Sequence, residues 1–392
     1  MPSVCLYFQV HQPYRLRPLS VFHIGSHHKY WNKRLNESLL NRISDHCYLP
    51  ANEVILSQIE KHKGKFRLAY SLSGVLIEQL ESQRPEVLDS FRRLAETGCV
   101  EFLSEPYYHS LSFLYNRDEF HRQVLLHREK VQQILGYTPT VFRNTELIYQ
   151  NHMAYFVMKM GYKGIIAEGA HAGLHGRSPN YIYHPPHLHK ISLMLRNYAL
   201  SDDISFRFGD RNWAHYPLHT DVFAGWLSSQ HGEVVCLGMD YETFGEHHKA
   251  DSGILKFLDS LPEAAFQTGN INFVTPSEAF EKYPAKGSYD ASRFESWAGT
   301  EKDITPWRGN EMQEEALQKI YDLRETVIEK QSPGLMREWS LLQTSDHFYY
   351  MATKEGEEAN VHAHFSPWKS PYDAYICFMS AIADFQLKLQ KI

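Results

Sequence analysis

The chain has 392 residues and is 43% hydrophobic, enough to bury one large domain and a smaller one, so global disorder is excluded. A net charge of −6 with no basic stripe argues against nucleic acid or an anionic membrane surface as partner. The cysteines (Cys5, Cys47, Cys99, Cys236 and Cys377) are odd in number and widely spaced, which fits free thiols in a reducing compartment rather than a disulfide framework or a metal cluster.

Met1 to Val10 lacks the basic and then apolar pattern of a leader, and no window approaches membrane-spanning length, so a cytoplasmic protein is expected. Val4 to Val10 alternates and reads as a first strand, with His11-Gln12-Pro13 at its C-terminal end. Pro18 to Tyr48 is polar and reads as a long loop shaping a cleft. It carries His23, His27 and His28, but no helical His-Glu-x-x-His pattern, so no metal is expected. Ala51 to Lys63 is an amphipathic helix and Phe66 to Ser71 a second strand. Helices follow at Ser73 to Glu81 and Pro85 to Glu96, the latter closed by Gly98. Val100 to Leu103 is a third strand, running into the polar and aromatic Ser104-Glu105-Pro106-Tyr107-Tyr108-His109.

Arg117 to Leu135 is a long helix capped at Gly136. Thr140 to Phe142 is a short strand leading into Arg143-Asn144-Thr145-Glu146, with a helix from Asn151 to Met160. Gly164 to Ala167 and Ile191 to Tyr198 are further strands. Between them Gly169 to Pro186 reads as a loop, and after them Asp202 and Asp203 read as turn caps. Trp213 and Trp226 flank the next helix. Val234 to Met239 is an uncharged strand of the doubly buried kind, and its polarity reverses at Asp240, Glu242, Glu246, His247 and His248. Ile271 to Thr275 is a last strand before a helix at Pro276 to Phe280.

Eight strands alternating with helices imply a parallel sheet closed into a barrel, with one strand outside it. A linker from Tyr283 to Pro306 leads to helices at Met312 to Lys330, Gly334 to Met351 and Ser370 to Lys391. The expected division is a barrel over 1–285 and a helical domain over 286–392. In such barrels catalytic groups sit at the C-terminal strand ends. Two strands ending in a carboxyl, Glu146 and Asp240, meet the requirement of glycoside hydrolysis for an acid and a carboxylate across one mouth. The 14% aromatic content fits either sugar stacking or a Tyr- and Phe-rich core.

These stretches together resemble glycoside hydrolase family 57, which acts on α-glucans. His11-Gln12-Pro13 matches the first motif and Gly98 to His109 the second; Glu146 stands in the third, Asp240 to Gly245 in the fourth, and Ser345-Asp346-His347-Phe348-Tyr349 in the fifth. The resemblance implies an incomplete (β/α)7 barrel with a C-terminal α-helical domain, retention of anomeric configuration, and no metal or cofactor. It implies Glu146 as nucleophile and Asp240 as general acid/base. His11, Gln12, His109, Trp226, Asp346, His347 and Tyr349 are the expected substrate-binding residues. The expected partner is an α-glucan or maltooligosaccharide, cleaved by an α-amylase-type hydrolase. A 4-α-glucanotransferase with the same residues and an inactive glucan-binding homologue stay open. Several members carry Trp where this chain has Tyr349, which bears on hydrolysis against transfer. The chain also looks too short for the extra lobes of the family's branching enzymes.

Overall fold

The computed structural model describes residues 2–26, 29–354, 362 and 366–391. His27 and His28 lie outside the described residues. Among the described residues nine strands form one sheet: β1 Ser3–Val10, β2 Leu68–Leu72, β3 Val100–Phe102, β4 Val141–Arg143, β5 Gly164–Glu168, β6 Ile182–Tyr183, β7 Ser192–Arg196, β8 Val234–Asp240 and β9 Asn272–Phe273. Seven of them run parallel in the order β3-β2-β1-β8-β7-β5-β4. The ring closes where Ser104, just past β3, exchanges backbone bonds with β4: Ser104 N to Val141 O at 2.9 Å and Arg143 N to Ser104 O at 2.8 Å. The fold is therefore an incomplete (β/α)7 barrel. Two seams are narrow: the β3–β4 closure is a single bridge, Ser104 with Phe142, and β7 and β8 share one register pair, Arg196 with Cys236.

The two strands off this path have small tasks. β9 pairs β1 at Ser3 and Val4, below the point where β2 takes over at Tyr7. β6 pairs antiparallel with β7, inside the stretch expected to be loop. A second departure is the Lys33–Ile43 helix, also expected to be loop. Asn32 caps it by accepting from Leu35 N, and it buries only Asn36, Leu40 and Ile43, so its apolar stripe is too thin to stand out in a polar sequence. Asp202 and Asp203 do not cap the turn that follows at Arg207–Gly209; they lie within the Tyr198–Ser205 helix, which Asn197 caps, and they bind Arg196 and Arg207.

Parallel strands buried on both faces need apolar sequence throughout, and β1 and β2 are buried at every position. The main core lies between the strands and the helices around them, from Val4 and Phe8 to Ile55, Phe91 and Phe257. A second core joins the C-terminal helices around Trp307, Trp339, Phe378 and Phe385, and takes in Leu16, Tyr30, Leu111 and Ile148 from the barrel's loops. Between the two, the stretch after residue 286 lies against the barrel through bridges of Ser288 to His184 and Glu295 to Tyr149. All five cysteines are buried and unpaired.

Candidate active site

The strands being parallel, their C-terminal ends deliver side chains to one mouth. β1 leads to His11 and Gln12, β2 to Ser71 and Ser73, β3 to Glu105 and His109, β4 to Arg143 and Glu146, and β8 to Asp240. The C-terminal helices add Asp346. They do so because the expected Gly334–Met351 helix breaks in two, Pro333–Leu341 and Ser345–Tyr349. At the break Thr344 is extended and bridges Ser110, and Ser345 N donates to His109 O at 3.0 Å. That turn aims Asp346 at His11.

Glu146 sits in a short 3-10 turn, Thr145–Leu147, with φ 55° and ψ 27°. His109 also has positive φ, 51°. Left-handed backbone in a non-glycine residue costs about 1–3 kcal/mol and persists where surroundings fix it, often at functional sites. What fixes Glu146 is a pair of donors. His109 Nε2 donates to its Oε1 at 2.8 Å, and Trp297 Nε1 donates to its Oε2 at 2.8 Å. The Trp297 backbone N also donates to Glu146 O at 3.2 Å.

The protonation of His109 follows from its partners. Its Nδ1 faces Glu105 Oε2 at 2.8 Å while its Nε2 faces Glu146. Carboxylates only accept, so both ring nitrogens carry protons and His109 is an imidazolium. Burial alone would lower its pKa, but the bonds to Glu105 and Glu146 raise it to about 9. Burial likewise works against the Glu105 carboxylate, yet His109 and Arg143 bring it down to about 2. Glu105 also accepts from Ser71 Oγ at 2.7 Å. For Glu146 too, the His109 bond and charge and the Arg143 charge outweigh burial and hold the carboxyl below its usual range.

His11 stacks on His109 with ring centroids 4.0 Å apart, and it is the neutral member of the pair. Burial and the charge on His109 lower its pKa. Its Nε2 donates to Asp346 Oδ2 at 3.0 Å, so its Nδ1 accepts from Ser73 Oγ at 2.7 Å.

Asp240 has the opposite setting. Burial first, then the charges of Glu242 and Glu146, push it up to about 8. Glu242 is itself raised to about 7 by burial, against hydrogen bonds from Tyr48 and from Gln12 Nε2, the latter at 3.2 Å. One mouth thus holds an ionised carboxylate at Glu146 and a protonated carboxyl at Asp240 at neutral pH.

Sequence reasoning reached Glu146, Asp240, His11, Gln12, His109 and Asp346, and the structure brings these together. His347 is 3% exposed, behind Asp346, against Trp31 and Phe378. Tyr349 packs on Trp307 and His362. Trp226 lies on the outer Thr220–Ser228 helix among Trp213, His215 and Phe223, and no hydrogen bond or ring contact among the described residues joins it to the mouth. Glu246, by contrast, pairs with Arg42 at 2.6 Å. Trp297 was missed, since it falls in the linker. Arg143 and Arg196 lie against its ring at 5.0 and 5.5 Å, and Lys302 donates to its carbonyl at 2.9 Å. Glu168 and Arg196, paired at 3.3 Å, anchor that loop through Lys302.

Two carboxyls of opposed protonation at the mouth of a seven-stranded barrel can between them give and take a proton, which is the pair of groups that glycoside cleavage uses. The sequence profile described as Glycosyl hydrolase family 57 matches residues 5–292, so the chain belongs to that family of glycosidases. A provisionally named alpha-amylase of Methanocaldococcus jannaschii is 39% identical, over 98% of this chain and 84% of that protein. Among solved structures, the family 57-type branching enzyme of Pyrococcus horikoshii superposes with TM-score 0.68 at 17% identity, covering 93% of this chain and 87% of that one. The 4-alpha-glucanotransferase of Thermococcus litoralis superposes with TM-score 0.65 at 15% identity, covering 89% of this chain but 56% of that one. These two likenesses establish the fold. No described helix is long and apolar enough to cross a membrane.

Proposed function

We propose that this chain is a retaining hydrolase of α-1,4-glucans, of α-amylase type, acting on starch, glycogen or maltooligosaccharides through a covalent glycosyl-enzyme. The observation that carries this reading is the opposed protonation of Glu146 and Asp240. In the first step a Glu146 oxygen bonds to the anomeric carbon as the glycosidic bond breaks, and the Asp240 proton passes to the leaving oxygen. In the second, Asp240 takes a proton from water, the hydroxide oxygen bonds to the anomeric carbon, and Glu146 departs. His109 and Trp297 each hold one oxygen of Glu146, and each oxygen keeps a lone pair for bonding. His11, Gln12 and Asp346 bind sugar hydroxyls beside the cleaved bond, while His347 and Tyr349 seat the helix that carries Asp346. The buried, unpaired cysteines support a cytoplasmic setting.

The test is incubation with maltoheptaose, with products resolved over time and the anomer of the fresh reducing end read by proton NMR. Rising reducing ends with the α anomer first is the expected result. Redistributed chain lengths at constant reducing ends would mark a 4-α-glucanotransferase, β anomers an inverting enzyme, and unchanged maltoheptaose an inactive glucan binder.

A further inference from the structure

Trp226 points to something other than the mouth. It lines a hollow of about 550 Å³ on the outside of the barrel, between the Tyr198–Ser205 and Thr220–Ser228 helices. The hollow is open to solvent rather than enclosed, a shape that suits a chain lying along the surface. Trp213 and Trp226 form a corner, with ring centroids 6.1 Å apart and planes at 73°. His215 stands edge-on to both, 5.4 Å from Trp213 and 4.8 Å from Trp226. Both tryptophans are partly buried and keep surface towards the hollow, and His215 is exposed.

The polar groups around this corner narrow the ligand class. Asp203 and Arg207 are the charged pair of the lining, joined at 2.6 Å. Arg207 also donates to Ala199 O at 2.8 Å and lies against the Trp213 ring at 5.8 Å. Its charge is thus balanced by Asp203, so the pair offers an anionic ligand no net positive charge. On the opposite wall the Ser229 hydroxyl donates to Trp226 O at 2.9 Å and keeps its oxygen to accept, and the Gln230 amide donates to Trp226 O at 3.3 Å and accepts from Asn180 at 3.1 Å, with one N–H left to give. Flat apolar faces at an angle, beside neutral hydrogen-bonding groups and a self-compensated ion pair, suit a neutral polyhydroxylated ring. A surface hollow over Leu125, Arg128 and Gln132 has no aromatic ring in its lining and offers no such match.

We propose that the corner of Trp213, Trp226 and His215 is a second carbohydrate-binding site, which holds an α-glucan chain on the outer wall of the barrel. The choice of α-glucan rests on the function proposed above. The site shares no lining residue with the mouth, so it would add attachment to long polymers without taking part in bond cleavage.

The experiment uses the full chain carrying Glu146→Gln, so that bound sugar is not turned over, and titrates it with maltoheptaose by calorimetry. Two molecules per chain are expected. Adding Trp213→Ala should weaken one of the two by about tenfold, the scale of one lost aromatic contact, and leave the other unchanged. His215→Ala, at an exposed position, should weaken the same step, and it keeps the test open if Trp213→Ala fails to fold. Adding Asp346→Ala should weaken the other step only. No binding, or binding in which every step is indifferent to both outer substitutions, overturns the proposal; a single step weakened by Trp213→Ala or His215→Ala supports it. Failure of the hydrolase reading shows elsewhere, as intact maltoheptaose with the wild-type chain, and the sensitivity of binding to the outer substitutions stands or falls by itself.

Discussion

The mouth has two halves, and they are built on opposite electrostatic plans. The β3–β4 half surrounds Glu146 with cations and donors: the His109 imidazolium, the Arg143 guanidinium and the Trp297 indole. The β8 half surrounds Asp240 with acids, Glu242 on its own loop and Glu146 across the mouth. Burial raises both carboxyls, so burial cannot tell them apart. What separates them is the sign of the neighbouring charge. In the proposed mechanism these two residues of similar chemistry take the two roles that retaining hydrolysis needs.

The largest expected effect comes from removing the first half's carboxylate. Glu146→Ala should lower kcat by about 10⁴-fold or more on every glucan, as loss of a covalent residue does elsewhere. Azide should restore part of it by occupying the vacated space. A loss under tenfold would mean that Glu146 is not the nucleophile.

Asp240→Ala should come next. General acid help is worth about 10²–10⁴-fold, so turnover of maltooligosaccharides should fall by that much. Maltosyl fluoride, whose leaving group needs no proton, should lose far less in its first step. Equal losses on both substrates would remove Asp240 from the acid role.

A smaller change should follow from weakening the cationic half without touching either carboxyl. His109→Gln keeps a donor and removes the charge. The pKa of Glu146 should then rise, because that charge is among the causes holding it down. In the proposed mechanism Glu146 must be ionised to attack, so the acidic limb of kcat/KM against pH should move up, and the basic limb near pH 8 should move up by less, since the His109 charge is the smallest of the named causes acting on Asp240. A profile that drops uniformly with both limbs in place would make His109 a structural residue only.

The barrel was legible because its strands obey a simple pattern. β1 and β8 are buried almost throughout, and apolar runs with a polar break at their ends record that directly. The Pro85–Glu96 and Arg117–Leu135 helices match residue for residue, since their ends carry local signals: Pro85 at the first position, Asn116 accepting from Glu119 N, and Gly136 at φ 64°. Two-residue β6 leaves no periodic trace. The break at Thr344 is made by Ser110, more than two hundred residues earlier, and no local rule reports it. The same holds for the site. Glu146 and Asp240 stand at strand ends where position alone marks them. Trp297 reaches Glu146 across 151 positions from a stretch that reads as linker. Glu105 was visible at its strand end, but its role depends on the two-sided bond of His109, which only three dimensions show.

The finest test of the two-halves comparison lies on the acidic side. Glu242 accepts from Tyr48 and from Gln12 Nε2, an arrangement an amide oxygen can keep. Glu242→Gln should therefore preserve the local shape while removing one negative charge beside Asp240. After burial, that charge is the next largest cause of Asp240's raised pKa. With it gone, the pKa of Asp240 should fall. Asp240 must be protonated to act, so the basic limb of kcat/KM should move from near pH 8 towards acid by up to about one unit. At pH 5 to 6, where Asp240 holds its proton in either protein, activity should be nearly equal. The acidic limb should not follow the basic one, because Glu146 answers to His109 and Arg143. Loss of activity at every pH would instead give Glu242 the proton-donating role. An unmoved basic limb would show that burial alone keeps Asp240 protonated, and that the acidic surroundings of the β8 half contribute nothing to it.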